Sequence, residues 1–192
     1  MEALRRYEIQ TVVHRTLDND SPIYSEWLRA VDQENADVVE VQAGQVITFD
    51  DGVELQILSP PQQLPTGTRS DVDNASIALR LTFGERSFLL AGDMFQEAEQ
   101  RLLASGMPLD SDGLKVGHHG SRNASTAKFL AEVSPAIAVI SAGADNRYGH
   151  PTQEVLSRLA TEMAPDMIYV TGESGTIELI TDGKTVELIV GK

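Results

Sequence analysis

The sequence predicts a mixed α/β fold, on three observations. Apolar β-like runs alternate with amphipathic helical stretches from Ser87 to Thr171. Such alternation favours a sheet covered by helices. The stretch "ASIALRLTFGERSFLLAGD" alternates apolar and polar residues and turns at Phe83 to Arg86, the signature of a hairpin. With 41% hydrophobic residues among 192, the chain can bury a real core as one domain or a large part of one.

The elements follow in order. "YEIQTVVH" (Tyr7 to His14) reads as a strand, and "TLDNDSP" as the turn after it. Ser21 can cap a helix with Pro22 at its first position, and Ile23, Trp27, Leu28 and Val31 lie near one face. Two strands follow, "DVVEVQAG" and "VELQILSP", with "FDDG" marking the turn between them. Pro60 to Asn74 has no hydrophobic period and reads as a long functional or mobile loop. After the hairpin, "MFQEAEQRLLASG" places Phe95, Ala98, Leu102 and Leu103 on a helical stripe and stops at Gly106. The strand "LKVG", a helix from Ser125 to Val133, the strand "AIAVISAG", a helix from Thr152 to about Thr161 and the strand "MIYVT" continue the alternation. A closing hairpin, "GTIELITDGKTVELIV", turns at Asp182 and Gly183. No internal repeat or second domain is evident, so residues 1–192 read as one domain.

Composition narrows the chemistry. The absence of cysteine removes disulfides, thiolate zinc sites and thiol nucleophiles together. A metal would have to be held by His, Asp, Glu or other oxygen donors, which suits zinc or manganese. A net charge of −14 repels nucleic acid and anionic membranes in general, although a bound dication can invert the sign within one cleft. No window reaches the roughly 18 consecutive apolar residues of a membrane helix, and the first residues lack the apolar core of a signal peptide, so the chain as given is expected to be soluble.

Ligand-binding groups in α/β architectures collect where strands end. Three strands here end in compact polar sequences: "SFLLAGD" at Asp93, "LKVGHHGS" at His118 and His119, and "AVISAGADNRYGHP" at His150. Asp93 reads either as a cap of the following helix or as a metal-bridging carboxylate on a rigid strand end. Adjacent residues on a strand point to opposite faces, so the histidine pair can serve one site only if the chain turns there, as Gly117 and Gly120 would permit. One histidine, with His118 preferred, is then a ligand and the other orients it or meets substrate. The alternative is one core histidine beside an exposed one.

His150 is either a loop histidine bonded to backbone or a proton donor and phosphate contact, with Asn146, Arg147 and Tyr148 offering further donors. Asp71, Asp73 and Asn74 close the long loop and read first as turn residues, yet they lead into the strand paired with the one bearing Asp93. Ser121 follows the histidine pair after Gly120. His14 reads as structural.

Together, "NASIALRLTFGERSFLLAGD", "LKVGHHGSRNAST" and "AVISAGADNRYGHPTQEVLSRL" resemble the later motifs of the metallo-β-lactamase superfamily, and most closely the C-terminal hydrolase domain of ComEC-type competence proteins. The resemblance runs from about Val12 to Ile177. It implies a four-layer αββα fold, one or two zinc or manganese ions, and a phosphodiesterase or nuclease linked to DNA uptake. In those terms Asp93 matches the aspartate that can bridge two metals, His118 and His119 the late histidine ligand, and His150 a histidine at the site mouth. His119, His150 and Arg147 become the expected catalytic groups. Asp73, Asn74, Ser121, Asn146 and Tyr148 become substrate contacts or supports.

The first motif of that superfamily, H-x-H-x-D-H, occurs nowhere in these residues. Met1 falls about where the segment after it would begin, so the resemblance implies only the C-terminal part of the fold. Asp93 and one histidine make two ligands, short of the roughly three protein ligands plus water of catalytic zinc. The missing part would leave an apolar face for a second copy or for the N-terminal half of the domain. Two further readings stand beside the hydrolase: a non-catalytic remnant or assembly module, and a small-substrate hydrolase resembling lactonases or thioesterases. In the ComEC context the chain would be an extracytoplasmic domain of a membrane protein.

Overall fold

The computed structural model describes residues 2–191; Met1 and Lys192 lie outside the described residues. The chain forms two compact units, Met1–Val41 and Gln42–Lys192.

In the first unit a short helix, α1 (Glu2–Arg6), precedes strand β1 (Thr11–His14), helix α2 (Pro22–Glu34) and strand β2 (Asp37–Glu40). Helix α1 takes up residues ahead of the expected strand, which begins at Thr11 and not at Tyr7. The cap of α2 is the expected one: Ser21 Oγ accepts the N–H of Tyr24, and Pro22 opens the helix. Strands β1 and β2 run parallel, Thr11 opposite Asp37, so "DVVE" pairs with "TVVH". The ring of His14 lies 5.5 Å from that of Trp27.

The second unit is built on a seven-stranded mixed sheet. Its strands are β3 (Val46–Thr48), β4 (Glu54–Ser59), β5 (Ala78–Phe83), β6 (Arg86–Leu90), β7 (Gly113–Lys115), β8 (Ile137–Ile140) and β9 (Ile168–Val170), neighbours in that order. The "FDDG" turn joins β3 to β4, and β3 is a strand that the sequence pattern did not separate from the one before it. The hairpin β5–β6 is antiparallel, Phe83 opposite Arg86, as its alternation predicts. From β6 to β9 every pairing is parallel. The crossovers carry helices α3 (Gln96–Ser105), α4 (Ala127–Val133) and α5 (Gln153–Glu162). A one-turn helix, α6 (Thr171–Ser174), leads to the hairpin β10 (Ile177–Thr181) and β11 (Val186–Val190).

The two faces of the large sheet differ. On one, Leu58, Ala78, Leu89, Leu114, Ala138 and Ile140 pack with Phe129, Leu130, Val155 and Leu159 of the helices into the core. Full burial of the leucine, isoleucine, valine and phenylalanine side chains among them stabilises by about 1.5–3 kcal/mol each. On the other, Leu81, Phe88, Leu90, Lys115 and Val139 share with Ile177 and Leu179 of the closing hairpin an open, largely apolar groove of 560 Å³. Leu90 there is 37% exposed. Among the described residues Lys115 is the one cation of this lining, and burial pulls its ammonium below the ordinary lysine range against the smaller, opposing pull of the Asp93 charge.

Candidate functional site

Parallel register sets the site. Leu90 of β6 pairs with Lys115 of β7, and Lys115 with Val139 of β8, so the three strands end along one edge of the sheet. Asp93, the histidine pair and the loop bearing His150 leave from that edge.

Asp93 does not cap helix α3. The helix begins after Phe95, whose side chain makes no cap bond, and the oxygen comes instead from Asn74. Fully buried, Asn74 Oδ1 accepts the N–H groups of Phe95 at 3.2 Å and Ala98 at 3.1 Å, while its amide nitrogen donates to Thr68 Oγ1 at 3.0 Å. The end of the long loop is therefore an external cap that frees Asp93. The N–H of Asp93 donates to Ser76 Oγ at 3.1 Å, and its side chain is 43% exposed. Gly92 before it has φ +59°, and an added Cβ would stand 2.9 Å from the carbonyl oxygen of Ile77, so close strand packing aims the carboxylate.

The histidine pair sits on a turn, as one site requires, but the turn uses the histidines themselves. His118 (φ 43°, ψ 46°) and His119 (φ 56°, ψ 23°) both occupy the left-handed region, which costs roughly 1–2 kcal/mol per non-glycine residue. The N–H of His118 donates to Gly92 O at 3.1 Å and its carbonyl accepts from Ser121, which ties the turn to the Asp93 segment. Beyond it, buried Glu99 accepts the N–H groups of Ser125 and of Thr126, the latter at 2.9 Å, and burial raises its carboxyl above the usual range. Arg158 donates to the carbonyls of Arg122, Ala124 and Ser125 at 2.8–3.0 Å and holds the rest of the loop.

The two imidazoles have different surroundings. His119 Nδ1 lies 2.6 Å from the carbonyl oxygen of Ser141, which can only accept, so Nδ1 carries the proton. In the neutral ring that leaves an unprotonated Nε2, and this atom stands 3.5 Å from Asp93 Oδ1. A lone pair and a carboxylate facing each other call for a cation or a proton between them. His118 packs its ring 4.4 Å from that of Phe95, and its buried Nδ1 has no hydrogen-bond partner. It is thus His119, not His118, whose free nitrogen faces Asp93.

His150 completes the cluster, its ring 5.8 Å from that of His118. Burial, then the neighbouring His118 and His119, lower its pKa below the ordinary histidine value, which favours the neutral ring. Asn146 Oδ1 accepts the N–H groups of Tyr148 (3.2 Å) and His150 (3.0 Å), and its amide donates to the carbonyls of Gly143 and His150. Gly120 (φ +81°) meets Pro151 so closely that a Cβ would lie 2.6 Å from Pro151 Cβ, and Gly120 O accepts from Thr152 N at 2.9 Å. This contact seats the His150 loop beside the histidine turn.

The other expected residues divide. Exposed Arg147 donates to the Tyr148 hydroxyl at 2.7 Å and lies 4.9 Å from its ring centroid. Ser121 is buried, its Oγ accepting the N–H of Asn123 at 3.4 Å. Asp73 is in the 3-10 turn Asp73–Ala75, where its N–H donates to Ser70 Oγ, and Asp71 carboxylate oxygens accept from Gly67 and Thr68. Ser76, Ser141 and Gly92, which position Asp93 and His119, escaped the sequence reading because a hydroxyl, a carbonyl and a glycine in strand-end loops carry no distinctive pattern.

Among the described residues, no three His, Asp or Glu side chains gather in a geometry that would hold a metal ion. Asp93 and His119 fit two positions of a zinc or manganese site, and the full set of a catalytic centre is not met.

No protein-family model matches the chain. It is 34% identical over 151 residues to ComE operon protein 3 of Bacillus subtilis (strain 168), a match covering 79% of this chain and 19% of that protein. It is 37% identical over 110 residues to competence protein ComA of Neisseria gonorrhoeae, covering 57% of this chain and 15% of that protein. It is 35% identical over 108 residues to recombination protein 2 of Haemophilus influenzae, covering 56% and 13%. The matched segment is thus less than a fifth of each of these relatives. Among solved structures, a mutant of the CmlA β-hydroxylase aligns with a TM-score of 0.45 at 17% identity, over 67% of this chain and 30% of that one.

Proposed function

We propose that this chain, a relative of the ComEC-type competence proteins, supplies the later part of a metal-dependent phosphodiesterase or nuclease centre of the metallo-β-lactamase superfamily, working in DNA uptake. The observation that carries the reading is the pairing of Asp93 with the unprotonated Nε2 of His119, whose other nitrogen donates to the Ser141 carbonyl. A ring held by a backbone carbonyl on one nitrogen and free on the other is the usual arrangement of a metal-binding histidine.

A zinc or manganese ion there, one or two in a complete domain, would supply a Lewis acid and an activated water. Asp93 and His119 would hold it, with His118 beside them. Neutral His150 would accept or relay a proton at the mouth, and exposed Arg147 would attract the phosphate. The open groove supports the same reading: it takes the remainder of the layered domain, for which the much longer relatives have ample chain.

The test is hydrolysis of a single-stranded oligonucleotide with manganese or zinc, by this chain alone and by a longer chain that also carries H-x-H-x-D-H. Activity in the longer chain, reduced by Asp93→Ala or His119→Ala beyond the roughly 10–100-fold typical of a lost supporting group, supports the reading. Inactivity of both, or activity indifferent to these substitutions, overturns it.

A further inference from the structure

Beside His119 a small pocket of 280 Å³ opens between the end of β8 and the 143–150 loop. Its wall is aromatic. Tyr148, 65% exposed, and His150 lie nearly parallel, 25° apart with centroids separated by 6.0 Å, and both line the pocket. An exposed tyrosine on a loop would ordinarily be mobile, but this one is fixed at the backbone. The N–H groups on either side of Gly149 both donate to Asn146 Oδ1, and Asn146 is itself anchored on the Gly143 carbonyl at 2.7 Å.

The wall is therefore built before any ligand arrives. Nothing in the metal chemistry of Asp93 and His119 uses the phenol ring, and the fold does not need it, since most of its surface is in solvent. Arg147, on the ring of Tyr148, places a cation at the pocket rim. A flat apolar-faced group beside a cation describes a nucleotide, whose base stacks while its phosphate meets the guanidinium.

We infer that Tyr148, with His150, forms a base-stacking subsite that takes the nucleobase next to the scissile phosphate. The subsite rests on the phosphodiesterase reading and sharpens it from phosphodiesters in general to single-stranded nucleic acid. In a chain of net charge −14, stacking supplies an attraction that the overall field does not oppose.

The experiment compares binding of oligothymidylate with binding of an abasic oligodeoxynucleotide of the same length, by fluorescence anisotropy on the full chain in chelator. Oligothymidylate is expected to bind at least about fivefold more tightly. Tyr148→Ala removes that difference, and Tyr148→Phe, which retains the ring, keeps it. Equal binding of the two probes, including no binding of either at millimolar concentration, overturns the subsite, as does a preference that survives Tyr148→Ala. Hydrolysis by the longer chain with manganese separates the two ideas. Equal cleavage of both probes would leave the phosphodiesterase and remove the subsite, whereas a stacking preference without cleavage would do the reverse.

Discussion

His119 Nε2 stands 3.5 Å from Asp93 Oδ1 while its Nδ1 donates to the carbonyl of Ser141 at 2.6 Å. The carbonyl fixes the tautomer, so the nitrogen facing the carboxylate is the one with the lone pair. Nitrogen-15 NMR of the neutral imidazoles is expected to show His119 as the Nδ1–H form. An Nε2–H signal for His119 would contradict the assignment.

Asn74 links the long loop to helix α3. Replacing it by alanine leaves the N–H of Phe95 without its acceptor in a buried setting, while the N–H of Ala98 keeps only the Phe95 carbonyl. Urea unfolding of Asn74→Ala should show a loss of about 1–2 kcal/mol. A change within about 0.5 kcal/mol, as for ordinary surface substitutions, would mean that the cap is dispensable.

Gly120→Ala tests the seat of the His150 loop. Its φ of +81° and the 2.6 Å approach to Pro151 leave no room for a Cβ. The variant should be destabilised by more than about 1 kcal/mol, and the contacts of His150 with His118 should weaken in NMR. Wild-type stability and unchanged His150 resonances would place the loop elsewhere.

The pH dependence of stability should carry the mark of His150. Its folded-state pKa lies below 6.5, chiefly through burial, so the unfolded chain takes up the proton first as pH falls. Its contribution is fully present above 6.5 and is lost as pH drops from there through the folded-state value. Subtracting the curve of His150→Asn from that of the parent should isolate a loss of that sign. A difference flat in pH, or one that grows toward alkaline pH, would contradict it.

The β5–β6 hairpin, the three crossovers and the closing hairpin were legible because alternation, helical stripes and turn residues are local signals. So was the grouping of the chain segments after β6, β7 and β8, since strand ends are where loops gather. Strand β3 was not legible: three residues carry too little period to separate them from their neighbours. Nor was the role of Asn74, which caps a helix more than 20 residues away through tertiary contact. Sequence favoured His118 as the ligand for want of any way to see that the turn would point the Nε2 of His119 at Asp93.

If Asp93 and His119 are two ligands of a metal centre, metal content per chain will report it. Protein purified without chelator, then titrated with zinc and manganese, should bind an ion that Asp93→Ala and His119→Ala each release, while Tyr148→Ala retains it. No binding by the parent chain, or binding unaffected by both substitutions, would mean that the two residues are not metal ligands and that the 3.5 Å contact is a simple imidazole–carboxylate pair.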